Sequence, residues 1–206
     1  MAMKSEYLIT LADPSQLPDL FKGPFLKGRR EPRVVMVGRS NVGKSSLINA
    51  LLKEKLAQTS NQPGKTRALH FYFWSEAKKI IVDLPGYGYA RAAKQDREKW
   101  KELIDHYLGA EENLDRAIIL LDARHGPTEG DLDAIRFLSL KGIPVTFVFS
   151  KVDTLKTQSL RASRLKEATL AFKTLGLQMD RAFWVSSRTS IGMRQLSADL
   201  MASTSE

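Results

Sequence analysis

Two glycines, a lysine and a hydroxyl stand at fixed spacing in Gly38-Arg39-Ser40-Asn41-Val42-Gly43-Lys44-Ser45-Ser46. The run fits G-x-x-x-x-G-K-[ST], a pattern whose chemistry is phosphate binding. The glycines let the backbone curl so that successive N–H groups point inward at an anion, and a helix starting near Lys44 would add its positive end. Lys44 supplies a point charge for terminal phosphates, and Ser45 a hydroxyl for Mg2+. Two carboxylates follow in turn-like stretches. Asp83, in Asp83-Leu84-Pro85-Gly86, can reach Mg2+ through water, while Gly86 can bring its own N–H to a γ-phosphate. Asp153, in Ser150-Lys151-Val152-Asp153, can accept the paired N1–H and N2–H2 donors of guanine, which adenine lacks on that edge. The stem of Lys151 can lie along the base. In Val185-Ser186-Ser187-Arg188, hydroxyls and backbone N–H groups could hold the Asp153 carboxylate and the guanine carbonyl.

Such residues act together only if strands and helices deliver them to one place. Val34 to Val37 is a continuous apolar, mostly β-branched run, the mark of a strand buried on both faces of a parallel sheet. Leu47, Ile48, Leu51 and Leu52 then recur at helical spacing, so a strand enters the glycine loop and a helix leaves it. Ala68–Trp74 and Lys79–Val82 read as strands whose short Ser75-Glu76-Ala77 link permits only an antiparallel hairpin. Trp100, Leu103, Ile104, Tyr107 and Leu108 mark a helix stopping at Gly109, and Ala117–Leu121 is the next strand. Thr128 to Asp131 resembles a capping box opening a helix through Leu140. Val145–Phe149 is a strand, and Leu160, Leu165, Ala168, Phe172 and Leu175 form the apolar stripe of a helix ending at Gly176. A strand at Ala182–Val185 and a helix at Met193–Leu200 complete the alternation. The expected fold is three-layer α/β with a mostly parallel sheet and a ligand at the carboxyl ends of the strands.

Residues 1–31, with Pro14, Pro18 and Pro24, read as an extension packed on this domain, in which Tyr7–Leu11 can add an edge strand. Residues 32–201 form the domain itself, and 202–206 a frayed tail. No run approaches the roughly 20 apolar residues of a membrane helix, and the first thirty residues lack a signal-like apolar core. With no Cys, disulfides and thiolate metal sites are excluded; His70, His106 and His125 lack ligand spacing. A cytoplasmic monomer without membrane insertion is the expectation. The net charge of +9 exceeds what Lys44 and Lys151 explain and favours a polyanionic partner.

A phosphate loop alone serves ATPases, nucleotide kinases and GTPases. A kinase or ATPase acting on a small substrate is the chief alternative, and it has no need of Lys151 and Asp153. The joint set G-R-S-N-V-G-K-S-S, P-G-K-T at Pro63-Gly64-Lys65-Thr66, D-L-P-G-Y-G, S-K-V-D and V-S-S-R resembles the five GTP-binding motifs of Ras-like GTPases of the translation-factor class. It looks most like the bacterial EngB (YihA/YsxC) family of ribosome-biogenesis GTPases. The resemblance implies a six-stranded, mostly parallel sheet with one antiparallel edge strand. It implies GTP/GDP and Mg2+ binding, a role in large-subunit assembly with rRNA contact, and a link to cell division and septation. A GTPase whose main partner is the division machinery is the second alternative.

By position, the resemblance makes Ser45 and Thr66 direct Mg2+ ligands, with Gly64, Lys65 and Thr66 in the first switch and Asp83 to Gly86 opening the second. Ser150 to Asp153 and Val185 to Ser187 form the base pocket. Ser150 departs from the Asn or Thr usual there. Many small GTPases orient the attacking water with a Gln after D-x-x-G, but Tyr87 stands here, so slow hydrolysis is expected. Asn41 matches the residue that, in potassium-stimulated relatives, looks like a K+ ligand.

Overall fold

The computed structural model describes residues 4–22, 29–58, 68–87, 94–174, 176 and 181–202. Among them, seven strands form one sheet: β1 (Glu6–Leu11), β2 (Arg33–Gly38), β3 (Leu69–Trp74), β4 (Lys79–Asp83), β5 (Leu114–Asp122), β6 (Val145–Ser150) and β7 (Ala182–Trp184). Their order across the sheet is β1-β3-β4-β2-β5-β6-β7. Strands β4, β2, β5, β6 and β7 pair in parallel, whereas β3 pairs antiparallel with both β1 and β4. The expected six strands become seven because Glu6–Leu11 covers the outer edge of β3. The hairpin β3–β4 sets His70 opposite Asp83, and the parallel pairing sets Met36 of β2 beside the same Asp83.

Alternation along the central strands divides the core into two layers. Val35 and Val37 of β2 face one way with Phe71, Val82, Ile119 and Phe149. Val34 and Met36 face the other with Tyr72, Ile81, Ile118 and Val148. The first layer is covered by α1 (Leu17–Lys22), α3 (Lys94–Ala110), α4 (Glu129–Leu140) and α5 (Gln158–Thr174) through Leu17, Leu103, Ile135 and Phe172. The second is covered by α2 (Lys44–Leu52) and α6 (Met193–Met201) through Leu47, Ile48, Leu196 and Leu200. Burying strands on both faces is what a nearly unbroken Val/Ile/Leu/Phe composition permits, and the polar residues Asp83, Asp122 and Ser150 stand at the carboxyl ends of their strands.

Helix α4 starts as its sequence requires: the Thr128 hydroxyl accepts from the Asp131 N–H, and the Asp131 carboxylate accepts from the Thr128 N–H. Helix α5 departs from its expected stripe. Ala168 and Phe172 are buried, the latter ring 4.6 Å from Phe147, but Leu160 and Leu165 remain 38% and 43% exposed. Leu175 lies outside the described residues. No described helix is long and apolar enough to cross a membrane.

Candidate functional site

Strand β2 ends at Gly38, and a five-residue loop leads into α2 at Lys44. A β-carbon at Gly38 would fall 2.9 Å from the Val42 side chain, so the loop closes only on glycine. Gly43 holds φ +108°, a conformation open chiefly to glycine, and as the N-cap of α2 it has no side chain to bond that helix's first N–H groups. A helix start of this kind presents N–H donors suited to an anion. Asn41 is also left-handed, at φ 63°. The loop thus has the curled backbone that its composition demanded.

Strand β4 delivers Asp83 to the same edge, where its carboxylate accepts a hydrogen bond from Lys44 Nζ and both side chains are buried. Lysine has three donors, so this pair leaves capacity for phosphate oxygens. Beyond it the chain presses on the loop: the Ser40 N–H donates to the Tyr87 carbonyl at 3.1 Å, and a β-carbon at Gly86 would lie 3.1 Å from Ser40 N. Leu84 and Pro85 are buried beneath this contact. The Tyr87 hydroxyl donates to Asp131 Oδ1 at 2.6 Å, and its ring lies against Gly130. Burial, then the neighbouring Asp131 charge and its hydrogen bond, push the hydroxyl far above the ordinary tyrosine pKa. Tyr87 is therefore a packed, protonated anchor on the start of α4.

Strand β6 ends in Ser150, whose hydroxyl donates to the carbonyls of Val42 at 2.7 Å and Leu121 at 3.1 Å. The departure from Asn or Thr thus still ties the strand end to the phosphate loop. Lys151 follows at φ 61°, and its Nζ donates to the Asn41 carbonyl at 2.6 Å and to Asp122 Oδ2 at 3.0 Å. A 3₁₀ turn, Val152–Thr154, buries Val152, whose N–H donates to the Val185 carbonyl at 3.3 Å. Asp153 faces Arg188 Nε at 3.6 Å. The Ser186 hydroxyl accepts from the N–H groups of Arg188 and Thr189 and so shapes its own loop, with Ser187 half-buried beside it.

Ser45, half-buried at the first turn of α2, and Asp83 offer hard oxygen donors, with only Asp83 Oδ1 engaged by Lys44. Among the described residues, no group of three or more His, Asp or Glu could hold a metal. Two protein oxygens supplemented by phosphate and water suit Mg2+, which keeps much of its hydration. Gly64, Lys65 and Thr66 lie outside the described residues.

Three charged residues of this edge, Asp122, Arg124 and Arg188, carry no role in the sequence pattern. Asp122, the last residue of β5, is 1% exposed and meets Arg39, Arg124 and Lys151. Burial alone would raise its pKa, but hydrogen bonds from Arg124 and Lys151 outweigh that and hold it well below the usual carboxylate range. The available signal was its position: like Gly38, Asp83 and Ser150, it ends an apolar strand.

Parallel strands delivering a glycine loop, an aspartate and a Lys-x-Asp turn to one edge define a P-loop nucleotide-binding domain. Residues 33–151 match a family model described as "50S ribosome-binding GTPase". A "Probable GTP-binding protein EngB" of Geobacillus thermodenitrificans is 39% identical over 200 residues, covering 96% of this chain and 95% of the relative. Its namesake in Gemmatimonas aurantiaca is 42% identical over 171 residues, covering 82% and 81%. The chain belongs to the EngB family of P-loop GTP-binding proteins. In fold it is similar to the crystal structure of a probable GTP-binding protein engB, with a TM-score of 0.64 at 23% identity over 82% of this chain and 98% of that one.

Proposed function

We propose that this GTP-binding protein is a guanine-nucleotide switch that hydrolyses GTP slowly with Mg2+. Its role would be in cytoplasmic assembly of the large ribosomal subunit, linked to normal division and septation. The observation that carries the nucleotide reading is the direct bonding of the base side of the site to its phosphate side, Lys151 to the Asn41 carbonyl and Ser150 to the Val42 carbonyl. A purine nucleotide is recognised at both ends, and here the two recognising loops are held at one spacing.

In this reading the N–H groups of Gly38 to Ser46 and the Lys44 ammonium bind the phosphates. Ser45 and Thr66 hold Mg2+ directly and Asp83 holds it through water. Bound there, Mg2+ would neutralise charge on the β- and γ-phosphate oxygens. Gly64 and Lys65 accompany Thr66 in the first switch, and Gly86 offers its N–H to the γ-phosphate. Asp153 accepts from guanine, Lys151 lies along the base, and Val152, Val185, Ser186 and Ser187 wall the pocket. The Tyr87 hydroxyl, engaged by Asp131, is not placed to orient water, which supports slow turnover. Asn41, left-handed and exposed, is the candidate K+ ligand.

Asp153→Asn tests the base pocket: an amide donor should shift preference from guanosine to xanthosine nucleotides, whose C2 carbonyl needs a donor. Unchanged preference would overturn the pocket. Equal hydrolysis rates in K+ and Na+ buffers would remove the potassium role. Cosedimentation with large-subunit particles, stronger with a non-hydrolysable GTP analogue than with GDP, tests the partner. Absence of binding in either state would turn attention to the division machinery.

A further inference from the structure

Lys151 and Asn41 are non-glycine residues in left-handed backbone, and one hydrogen bond joins them. Such conformations persist where surrounding contacts over-determine them. For Lys151 the second contact is Asp122, which ends β5 directly beside Ser150 in the parallel register. The Asp122 carboxylate is saturated. Arg124 donates from its backbone N–H at 3.0 Å and from Nε at 2.9 Å to Oδ1, and from Nη2 at 2.7 Å to Oδ2. Lys151 Nζ and Arg39 Nη2 converge on Oδ2 at 3.0 and 3.6 Å. Arg39 belongs to the phosphate loop and Lys151 to the base loop. One buried anion thus holds a cation from each, with Arg124 fixing its orientation from the exposed side.

We infer that Asp122 is a positioning residue for guanine-nucleotide binding, setting Lys151 against the Asn41 carbonyl so that base loop and phosphate loop keep one spacing. Without the carboxylate, three cations would crowd a site with nothing to offset their repulsion, and the flexible Lys151 stem would lose its second fixed point. Three cations around one anion also leave an excess of positive charge beside the loop, directed at phosphate. Asp122, buried and engaged by Arg39, Arg124 and Lys151, acts through Lys151. The inference rests on the assignment of Lys151 to the base pocket.

The test is a double-mutant cycle of Asp122→Asn and Lys151→Met in the full chain, read as the dissociation constant of a fluorescent GDP. Each single change is expected to weaken binding about tenfold, and the double variant no more than about twofold beyond Lys151→Met, because one interaction is removed twice. Losses that multiply, to about a hundredfold, would show that Asp122 does not act through Lys151 and would overturn the inference while leaving the base pocket intact. Unchanged affinity in Lys151→Met would overturn the base-pocket assignment and the inference with it. If Asp122→Asn fails to fold, Asp122→Glu, which keeps the charge but displaces it by a methylene, enters the same cycle under the same criteria.

Discussion

The Ser150 hydroxyl donates to the Val42 carbonyl at 2.7 Å across 108 residues of chain, so the end of β6 and the phosphate loop share a buried hydrogen bond. Ser150→Ala removes that donor without changing the backbone. The expected cost is about 1–3 kcal/mol of unfolding free energy, the range for leaving a buried polar group unmet. GDP release should quicken too, because the loop loses a support behind its glycine turn. Urea unfolding and stopped-flow release of a fluorescent GDP check both. A variant as stable and as slow to release as the parent would show that the Lys151 bond to the Asn41 carbonyl suffices alone.

Tyr87 stands where many small GTPases carry a Gln, yet its hydroxyl is held by Asp131 and stays protonated in a buried setting. Tyr87→Phe should therefore cost stability, about 1 kcal/mol, since Asp131 keeps its two bonds from Thr128. Single-turnover GTP hydrolysis should change by less than about twofold, because no proton moves through this oxygen. A rate falling about tenfold or more in the Phe variant would assign the hydroxyl to the chemistry.

Four of the five motifs, all but Pro63-Gly64-Lys65-Thr66, were legible together because each follows an apolar run, and apolar runs in α/β domains become strands whose carboxyl ends converge. What connects the motifs was not. The bonds from Ser150 to Val42 and from Lys151 to Asn41 end on backbone carbonyls, which carry no residue identity for a pattern to detect. Asp122 escaped notice because the apolar run stops at Leu121, while hydrogen bonding carries β5 one residue further. Leu160 and Leu165 show the complementary limit: helical spacing identifies an apolar side, but not how far the sheet extends beneath it. The seventh strand was weakly signalled because β1 is inward-facing chiefly at its end, with Leu11 buried and Glu6 and Tyr7 exposed.

His70 gives the fold a pH-dependent component. Burial lowers its pKa; the Asp83 charge opposes that and Lys44 adds to it, for a net downward shift. Its Nδ1 lies 2.6 Å from the Thr10 hydroxyl, linking β3 to β1. The unfolded chain, with an ordinary histidine pKa of about 6.5, takes up the proton first as pH falls. This contribution is thus present above about pH 6.5 and lost as pH falls through the lowered native value. Urea midpoints should decline as pH falls below about 6.5, and His70→Gln should flatten that decline. An identical slope in the variant would move the origin to other groups.

The edge formed by β1 and β3 carries the last prediction. Strand β3 is Leu-His-Phe-Tyr-Phe-Trp, buried along nearly its whole length, and β1 pairs with it from Glu6 to Leu11. Leu11 is 1% exposed, the Tyr7 ring meets Tyr72 edge-on at 5.8 Å, and Arg29 sits 5.4 Å over the Phe73 ring. Deleting residues 1–11 would bare a row of unpaired backbone groups beside aromatic side chains, the combination that recruits a second chain to a sheet edge. Loss of Leu11 alone should cost about 1.5–3 kcal/mol from lost burial. The truncated protein is therefore expected to unfold at lower urea and to elute from size exclusion as larger species whose share grows with concentration. Its phosphate loop, two strands inward, keeps the supports from β5 and β6, so the monomeric fraction should still bind GDP within about threefold of the parent, well short of a lost contact at the site. A truncated chain that stays monomeric with an unchanged midpoint would mean that β1 decorates the edge without protecting it.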